Sequence, residues 1–228
     1  RVEHILVTGG AGFIGSHLVD ALIERGHRVR VFDNLEPQVH GPLAERGRWP
    51  EYCNPEAEYV LGDVRDRAAL QAAMTGVDVI FHEAAMVGVG QSMYQIERYV
   101  DVNTRGTAVM LDILANETAI RDRVRKLMVA SSMSIYGEGK YECPTHGSVY
   151  PRLRPEDQLA ARDWEVHCPE CGATLAPVPT DEEKPLHATS IYAISKKDQE
   201  EMCLAVGRTY GIPTVALRYF NTYGSRQA

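Results

Sequence analysis

Tyr192 and Lys196 stand four residues apart in Ile191-Tyr192-Ala193-Ile194-Ser195-Lys196, within a segment of helical pattern. Four residues make about one helical turn, so the two side chains share a face, roughly 40° apart around the axis. An ammonium beside a phenol favours the phenolate and lowers a pKa ordinarily near ~10. A tyrosine general base needs that shift to act at neutral pH. Taken alone, the spacing also describes an amphipathic helix with a core tyrosine and a solvated lysine.

A second cluster lies at the start of the chain. Thr8-Gly9-Gly10-Ala11-Gly12-Phe13-Ile14-Gly15 follows a strand-like run and opens a helix-like one, fitting G-x-G-x-x-G from Gly10 and G-x-x-G-x-x-G from Gly9. Such glycines allow a tight turn, let backbone N–H groups approach a pyrophosphate at the positive helix N-terminus, and permit close helix-to-strand packing. A glycine-rich turn also serves plain packing, and the next strand decides between the two. Val29-Arg30-Val31-Phe32 ends in Asp33, 18 positions after Gly15, where a carboxylate accepts hydrogen bonds from adenosine ribose hydroxyls. Asn34 follows, with no arginine directly after the acid to neutralise a 2′-phosphate, so the expected cofactor is NAD rather than NADP. Asp63, in Gly62-Asp63-Val64, reads either as an adenine contact or as a cap for a helix starting near Arg67.

A third cluster has metal-ligand spacing. Cys143-Pro144-Thr145-His146-Gly147 and Cys168-Pro169-Glu170-Cys171-Gly172 are two C-P-x-[CH]-G turns, with 21 residues between His146 and Cys168. Each turn puts two ligands on one side of a tight loop, and the Cys₃His set is that of a closed, structural zinc site. A disulfide is the competing reading for the thiols. His167 competes with His146 as fourth ligand but adjoins Cys168 and lacks the two-residue spacing. Cys53 and Cys203 read as buried small hydrophobes.

These groups need a frame. Apolar runs at Ile5 to Thr8, Val29 to Phe32, Glu58 to Leu61, Val77 to Phe81, Lys126 to Ala130 and Thr214 to Arg218 are strand-length and are separated by helical patterns. Helices are predicted at Phe13 to Arg25, Arg67 to Met74, Met93 to Asn116 and Ile191 to Tyr210. Strands alternating with helical crossovers imply an α/β fold with a doubly wound parallel sheet, a Rossmann arrangement of strand order 3-2-1-4-5-6. Its ligand crevice lies beyond the C-terminal strand ends. Residues 34–56 lack periodicity and read as a long loop or short helices. Residues 138–185 carry seven prolines and three of the five cysteines, which predicts a zinc-ribbon-like insertion interrupting one NAD-binding domain of residues 1–228.

The motif set resembles a known family. Thr8 to His17, Asp33-Asn34-Leu35, Gly62-Asp63-Val64-Arg65, Phe81-His82-Glu83-Ala84-Ala85, Ser131-Ser132-Met133-Ser134-Ile135-Tyr136-Gly137, Tyr192 to Lys196 and Leu217-Arg218-Tyr219-Phe220-Asn221 resemble the extended short-chain dehydrogenase/reductases of the NAD-dependent nucleotide-sugar epimerase/dehydratase family. The resemblance implies Ser132, Tyr192 and Lys196 as the catalytic set. It implies cofactor contacts from Gly9, Gly12, Phe13, Ile14, Gly15, Asp33, Asn34, Asp63, Val64, Ala84, Ala85, Asn103, Tyr192 and Lys196, with Asn103 supporting the lysine through water. Ser132, Tyr192 and Asn221 would contact the nucleotide-diphosphate sugar. Family members that remove water carry Asp and Glu after the serine or threonine; here Met133 and Ser134 stand there, which points to 4-epimerisation through a 4-keto intermediate. Glu83 replaces the apolar residue usual after the histidine. The resemblance also implies a homodimer built on the Met93 to Asn116 and Ile191 to Tyr210 helices. It implies that residues 138–185 lengthen the loop before the catalytic helix into a flap, and that a substrate domain would begin soon after Gly224.

Composition narrows the alternatives. With 24 Lys plus Arg against 31 Asp plus Glu, a net charge of −7, the chain lacks the basic footprint of a nucleic-acid binder. No run of 18 apolar residues offers a membrane span. Five cysteines and a start directly on a strand-like run predict a cytoplasmic protein with a trimmed N-terminus. Two other functions fit the motifs: an NAD-dependent nucleotide-sugar dehydrogenase or reductase that consumes its cofactor, and a non-enzymatic NAD-binding zinc scaffold or sensor.

Overall fold

A computed structural model describes residues 2–41 and 48–228. Nine strands run along the described chain: β1 (His4–Thr8), β2 (Arg28–Asp33), β3 (Glu58–Leu61), β4 (Val79–His82), β5 (Lys126–Ser132), β6 (Lys140–Cys143), β7 (Gly147–Val149), β8 (Ala176–Val178) and β9 (Thr214–Tyr219). Six of them form one parallel sheet in the order β3-β2-β1-β4-β5-β9. This is the doubly wound α/β arrangement, with β9 in the sixth place because three short strands precede it in sequence. β1 sits centrally and every one of its residues is buried, as a parallel strand covered on both faces requires.

The chain divides into two compact units. One comprises Arg1–Ser132 and Ser190–Ala228, the other Met133–Thr189. In the first, Leu6, Phe32, Leu70, Ile80, Met110, Leu114 and Leu127 belong to a continuous buried cluster joining the sheet to the helices Arg67–Met74 and Gly106–Asn116. Ile5, Val7, Val19, Val29 and Val31 form a second cluster under the helix Phe13–Glu24. In the second unit, β6 pairs antiparallel with both β7 and β8.

Two expectations change in detail, and a third is borne out by a short helix. The helix expected from Met93 begins at Ile96, and Val100–Arg105 runs as a π-helical segment before Gly106–Asn116 resumes the α form. Wide π turns rotate the side chains that follow and occur often at functional sites. The cap of the helix Arg67–Met74 is Asp66, whose Oδ1 accepts from the N–H groups of Ala68 and Ala69 at 3.0 and 3.1 Å; Asp63 does not cap it. In the aperiodic stretch 34–56, Pro37–His40 forms one short helical turn, and residues 42–47 lie outside the described residues.

Candidate active site and metal centre

The glycine loop lies at the C-terminal end of β1. Gly9 has φ +70°, and a Cβ there would come within 2.8 Å of the Ala84 backbone nitrogen. A Cβ on Gly15 would meet the Gly9 carbonyl oxygen at 2.2 Å, so the helix starts closer to the loop than any side chain allows. Gly12 is the N-cap of the helix Phe13–Glu24, and no side chain caps it. The first N–H groups of that helix, at Phe13, Ile14 and Gly15, therefore have no intrahelical acceptor and face the place where an anion binds at a helix N-terminus. Ala84 and Ala85 follow β4 on the neighbouring strand, with Ala84 N–H donating to Thr8 Oγ1 at 3.3 Å.

Asp33 ends β2 and is buried. Its Oδ2 accepts from Ala11 N–H at 3.0 Å and its Oδ1 from Leu35 N–H at 2.8 Å, which ties the strand end to the glycine loop. Burial pushes its pKa up, while those two N–H groups and His40 pull the other way. Each carboxylate oxygen keeps acceptor capacity for a ligand hydroxyl. Asn34 Nδ2 donates to Asp63 at 3.1 Å, and Arg65 grips the same carboxylate through Nε and Nη2 at 2.8 and 2.7 Å. The Arg65 hydrogen bonds hold the Asp63 pKa down at about 2. Val64 is buried and packs against Gly106.

The catalytic candidates meet at the other half of the sheet. Ser132 is the last residue of β5, paired in register with Tyr219 of β9. Ser190 caps the helix Ile191–Tyr210 by accepting from Ala193 N–H at 3.0 Å, so Tyr192 enters in its first turn. The Tyr192 N–H donates to Ser92 Oγ at 3.0 Å, and its ring meets the edge of the buried Tyr99 ring at 6.4 Å between centroids. Burial raises the Tyr192 pKa, and a hydrogen bond with Ser132 lowers it. Within the ligand-free chain the serine is thus a group that favours the phenolate.

Lys196 is 3% exposed and donates to Gln199 Oε1 at 2.8 Å. Burial drops its pKa to about 8, with Glu83 and Cys203 opposing. Gln199 Nε2 continues to Thr107 Oγ1 at 2.7 Å, and His82 bridges Thr107 and Thr8 at 2.9 and 2.8 Å. Burial and then Lys196 depress His82 to about 3, so it stays neutral. Asn103, on the π segment, holds Met86 N–H at 2.7 Å and donates to Ser195 Oγ at 3.0 Å, fixing the helix Ile191–Tyr210 against the loop after β4. Asn221 lies exposed two residues past the end of β9, whose last residue Tyr219 pairs in register with Ser132. The role of Gln199 was not read from the sequence, although a polar residue three positions after Lys196 continues the same helix face.

The second unit gathers Cys143, His146, Cys168 and Cys171, whose ligand atoms all lie within 4.8 Å of one another. Cys143 Sγ is 3.6 Å from Cys171 Sγ and 3.6 Å from His146 Nδ1; Cys168 Sγ is 3.4 Å from that same nitrogen. A tetrahedron with zinc bond lengths of about 2.0 to 2.3 Å has edges of roughly 3.5 to 3.8 Å. A disulfide needs sulfurs about 2.05 Å apart, and all five cysteines are free. The Thr145 N–H, then that of His146, lowers the Cys143 pKa to about 6 against burial; the N–H groups of Cys171 and Glu170 lower Cys168. His146 Nε2 lies 3.5 Å from Glu170, the carboxylate partner common behind metal-bound histidines. His167 instead faces Asp163 at 2.7 Å and stays outside the set.

A parallel dinucleotide-binding sheet with a Ser/Tyr/Lys set at its C-terminal edge defines the extended short-chain dehydrogenase/reductase class. The chain belongs to the NAD dependent epimerase/dehydratase family, which it matches over residues 5–157 and 169–228. It is 34% identical over 228 residues to the dTDP-L-rhamnose 4-epimerase of Burkholderia thailandensis, covering 99% of this chain and 60% of that protein. Among solved structures it is similar to the UDP-glucose 4-epimerase of Thermotoga maritima with UDP-glucose, at a TM-score of 0.69 and 29% identity, over 99% of this chain and 58% of that one. The Thermus thermophilus UDP-glucose 4-epimerase in complex with NAD gives the same TM-score and identity over 99% and 57%. The chain thus spans about 60% of the length of these relatives. No helix among the described residues is long and apolar enough to cross a membrane.

Proposed function

We propose that this chain is the dinucleotide-binding part of an NAD-dependent nucleotide-sugar 4-epimerase. The hydrogen bond between Ser132 and Tyr192, at the strand ends where the glycine loop also opens, is the observation that carries the reading. Asp33 would receive the adenosine ribose, the uncapped helix start at Phe13 the pyrophosphate, and Lys196, with one of its three donors used by Gln199, the nicotinamide ribose. NAD, when bound, supplies a reversible hydride acceptor. Tyr192 would take the proton of the sugar C4 hydroxyl while Ser132 holds that oxygen, and Tyr192 would return the proton after the 4-keto sugar has turned over. Asn221 is assigned to the substrate diphosphate.

The Cys143, His146, Cys168 and Cys171 set fits a structural zinc, and the Met133–Thr189 unit is read as an inserted zinc-ribbon-like module. A homodimer through the helices Ile96–Tyr99 and Ile191–Tyr210 is supported by exposed Ile96, Val100 and Ile194, and sedimentation at micromolar concentration tests it. For the activity, the full-length protein is incubated with UDP-, GDP- and dTDP-sugars and the products are resolved by NMR. Inversion at C4 without net NADH is the expected result. Accumulating NADH would replace the epimerase with a dehydrogenase.

A further inference from the structure

Two segments leave the sheet on either side of β1 and meet again beyond it. β1 lies between β2 and β4, all three run parallel, and the glycine loop opens at their common C-terminal end. After Asp33, Leu35 is buried with φ +52°, a left-handed conformation uncommon for a leucine, and the chain turns into Pro37–His40. After Ala85, Gly88 takes φ +136° and the chain turns into Val89–Ser92.

Side chains join these two turns. Gln38 Nε2 donates to Gln91 Oε1 at 2.9 Å, and Gln91 Nε2 donates back to Gln38 Oε1 at 2.8 Å, a reciprocal amide pair. Beside it, Arg98 Nη2 pairs with Glu36 Oε1. The arm after β4 is anchored: the buried Tyr99 hydroxyl lies 2.9 Å from Val87 O and 3.1 Å from Gln91 Oε1, and Ser92 Oγ accepts from Tyr192 N–H at 3.0 Å. Both arms are also bonded to β1 and its loop, through Asp33 to Ala11 N–H at 3.0 Å and through Ala84 N–H to Thr8 Oγ1 at 3.3 Å. A ring of covalent and hydrogen bonds therefore closes at the end of β1, where Asp33, Ala84 and the uncapped start of the helix Phe13–Glu24 face a ligand.

The ring has one weak place. Ala11, Asp33 and Thr8 are buried, whereas Gln38 and Arg98 are exposed, and exposed hydrogen bonds and ion pairs are individually weak. The arms part most readily where Gln38 meets Gln91. We propose that Glu36, Gln38, Gln91 and Arg98 form a latch across the dinucleotide crevice, which opens for NAD to enter or leave. The inference deepens the dinucleotide reading and rests on it. It suits a cycle that regenerates NAD in place, because a consumed cofactor has to leave at every turnover and lid opening then limits the rate.

The test is stopped-flow on the chain: NADH fluorescence on mixing reads entry, and a chase with excess NAD reads release. Glu36→Gln together with Gln38→Ala removes the ion pair and both amide bonds, and leaves Gln91 beside Tyr99. A latch gates both directions, so both rates should rise by a similar factor, about fivefold to tenfold, while Kd changes little. Arg98→Ala, on the other arm, should raise both by about twofold to threefold, and is the readout if the double variant fails to fold by circular dichroism. Without ligand, hydrogen exchange should quicken at residues 36–40 and 88–92 in the same variants. Unchanged rates in folded variants overturn the proposal, as does a rise in release alone, which marks an ordinary ligand contact. Calorimetry of NAD binding to the unaltered chain separates the two readings: no binding overturns the dinucleotide reading and the latch's role with it, whereas binding with unchanged rates in the variants overturns the latch alone.

Discussion

In the unit that carries Tyr192, polar groups rest on a buried cluster running from Leu6 through Ile80 and Met110 to Leu127. In the Met133–Thr189 unit, the buried cluster is Cys143, Val166, Cys168 and Leu175, with Tyr141 and Val149 packed against it. Two of those four are metal-ligand candidates. Ordering one backbone residue costs about 1 to 2 kcal/mol, whereas fully burying an aliphatic side chain returns only about 1.5 to 3. A cluster so small does not hold a domain by itself, and small domains turn to metals or disulfides for the difference. The contrast teaches where precision comes from. The first unit has an extensive buried frame of its own; in the second, on the structural-zinc reading proposed above, the Cys143, His146, Cys168 and Cys171 set would be the frame.

Removing the metal should separate the two most sharply. Chelation, or Cys168→Ser, should abolish amide protection in β6, β7 and β8 while Leu6, Ile80 and Leu127 stay protected, as read by hydrogen exchange. Structural zinc is worth about 10 to 16 kcal/mol in small fingers, so the loss should be all-or-none. Equal loss in both units would break the comparison, and a metal-free purified protein with an ordered second unit would refute the zinc assignment.

The next effect leaves both frames standing. Tyr192→Phe in the full-length protein should lower turnover by about 10² to 10⁴ with NAD binding nearly unchanged, checked by steady-state kinetics and calorimetry.

Acid should strain the first unit through His82. Unfolded, this imidazole takes a proton near ~6.5; folded, it does so only at about 3. Between those values the unfolded chain binds more protons, so stability falls as pH falls, by at most about 1.4 kcal/mol per pH unit. Urea unfolding at pH 6 and pH 4.5 should show this loss, and His82→Gln should flatten it.

Smaller still is cofactor choice. Asp33→Ala should narrow the preference for NAD over NADP by about tenfold, since a 2′-phosphate no longer faces a carboxylate. Equal binding of both by the unaltered chain would refute the assignment. The smallest effect belongs to Ser190→Ala, which removes the cap of the catalytic helix and should cost about 1 kcal/mol by denaturant unfolding.

The frame was legible because its signals are local. β1 reads as a continuous apolar run and is wholly buried, and the six-strand order follows from right-handed crossovers between such runs. Gly9 and Gly15 could be singled out because close backbone contact tolerates no side chain. The knuckle spacing picked out Cys143, His146, Cys168 and Cys171, which the structure gathers, while His167 lies beside Asp163. What sequence spacing hides is tertiary. Nothing local announces that Lys196 bonds Gln199, that Thr107 and Thr8 hold His82, or that Ser132 hydrogen-bonds Tyr192. The π segment at Asn103 was equally hidden, since its residues satisfy a helical pattern either way.

The chain leaves the sheet after Ser132 and returns at Ser190, the cap of the next helix, two residues before Tyr192. The two junctions are already brought together by the chemistry they serve. Whatever is spliced between them begins and ends at fixed neighbouring points, and each doubling of such a loop costs only about 0.6 kcal/mol. If Met133–Thr189 is an inserted module, this junction is the port at which its length would change with the least disturbance of the Ser132 and Tyr192 pair.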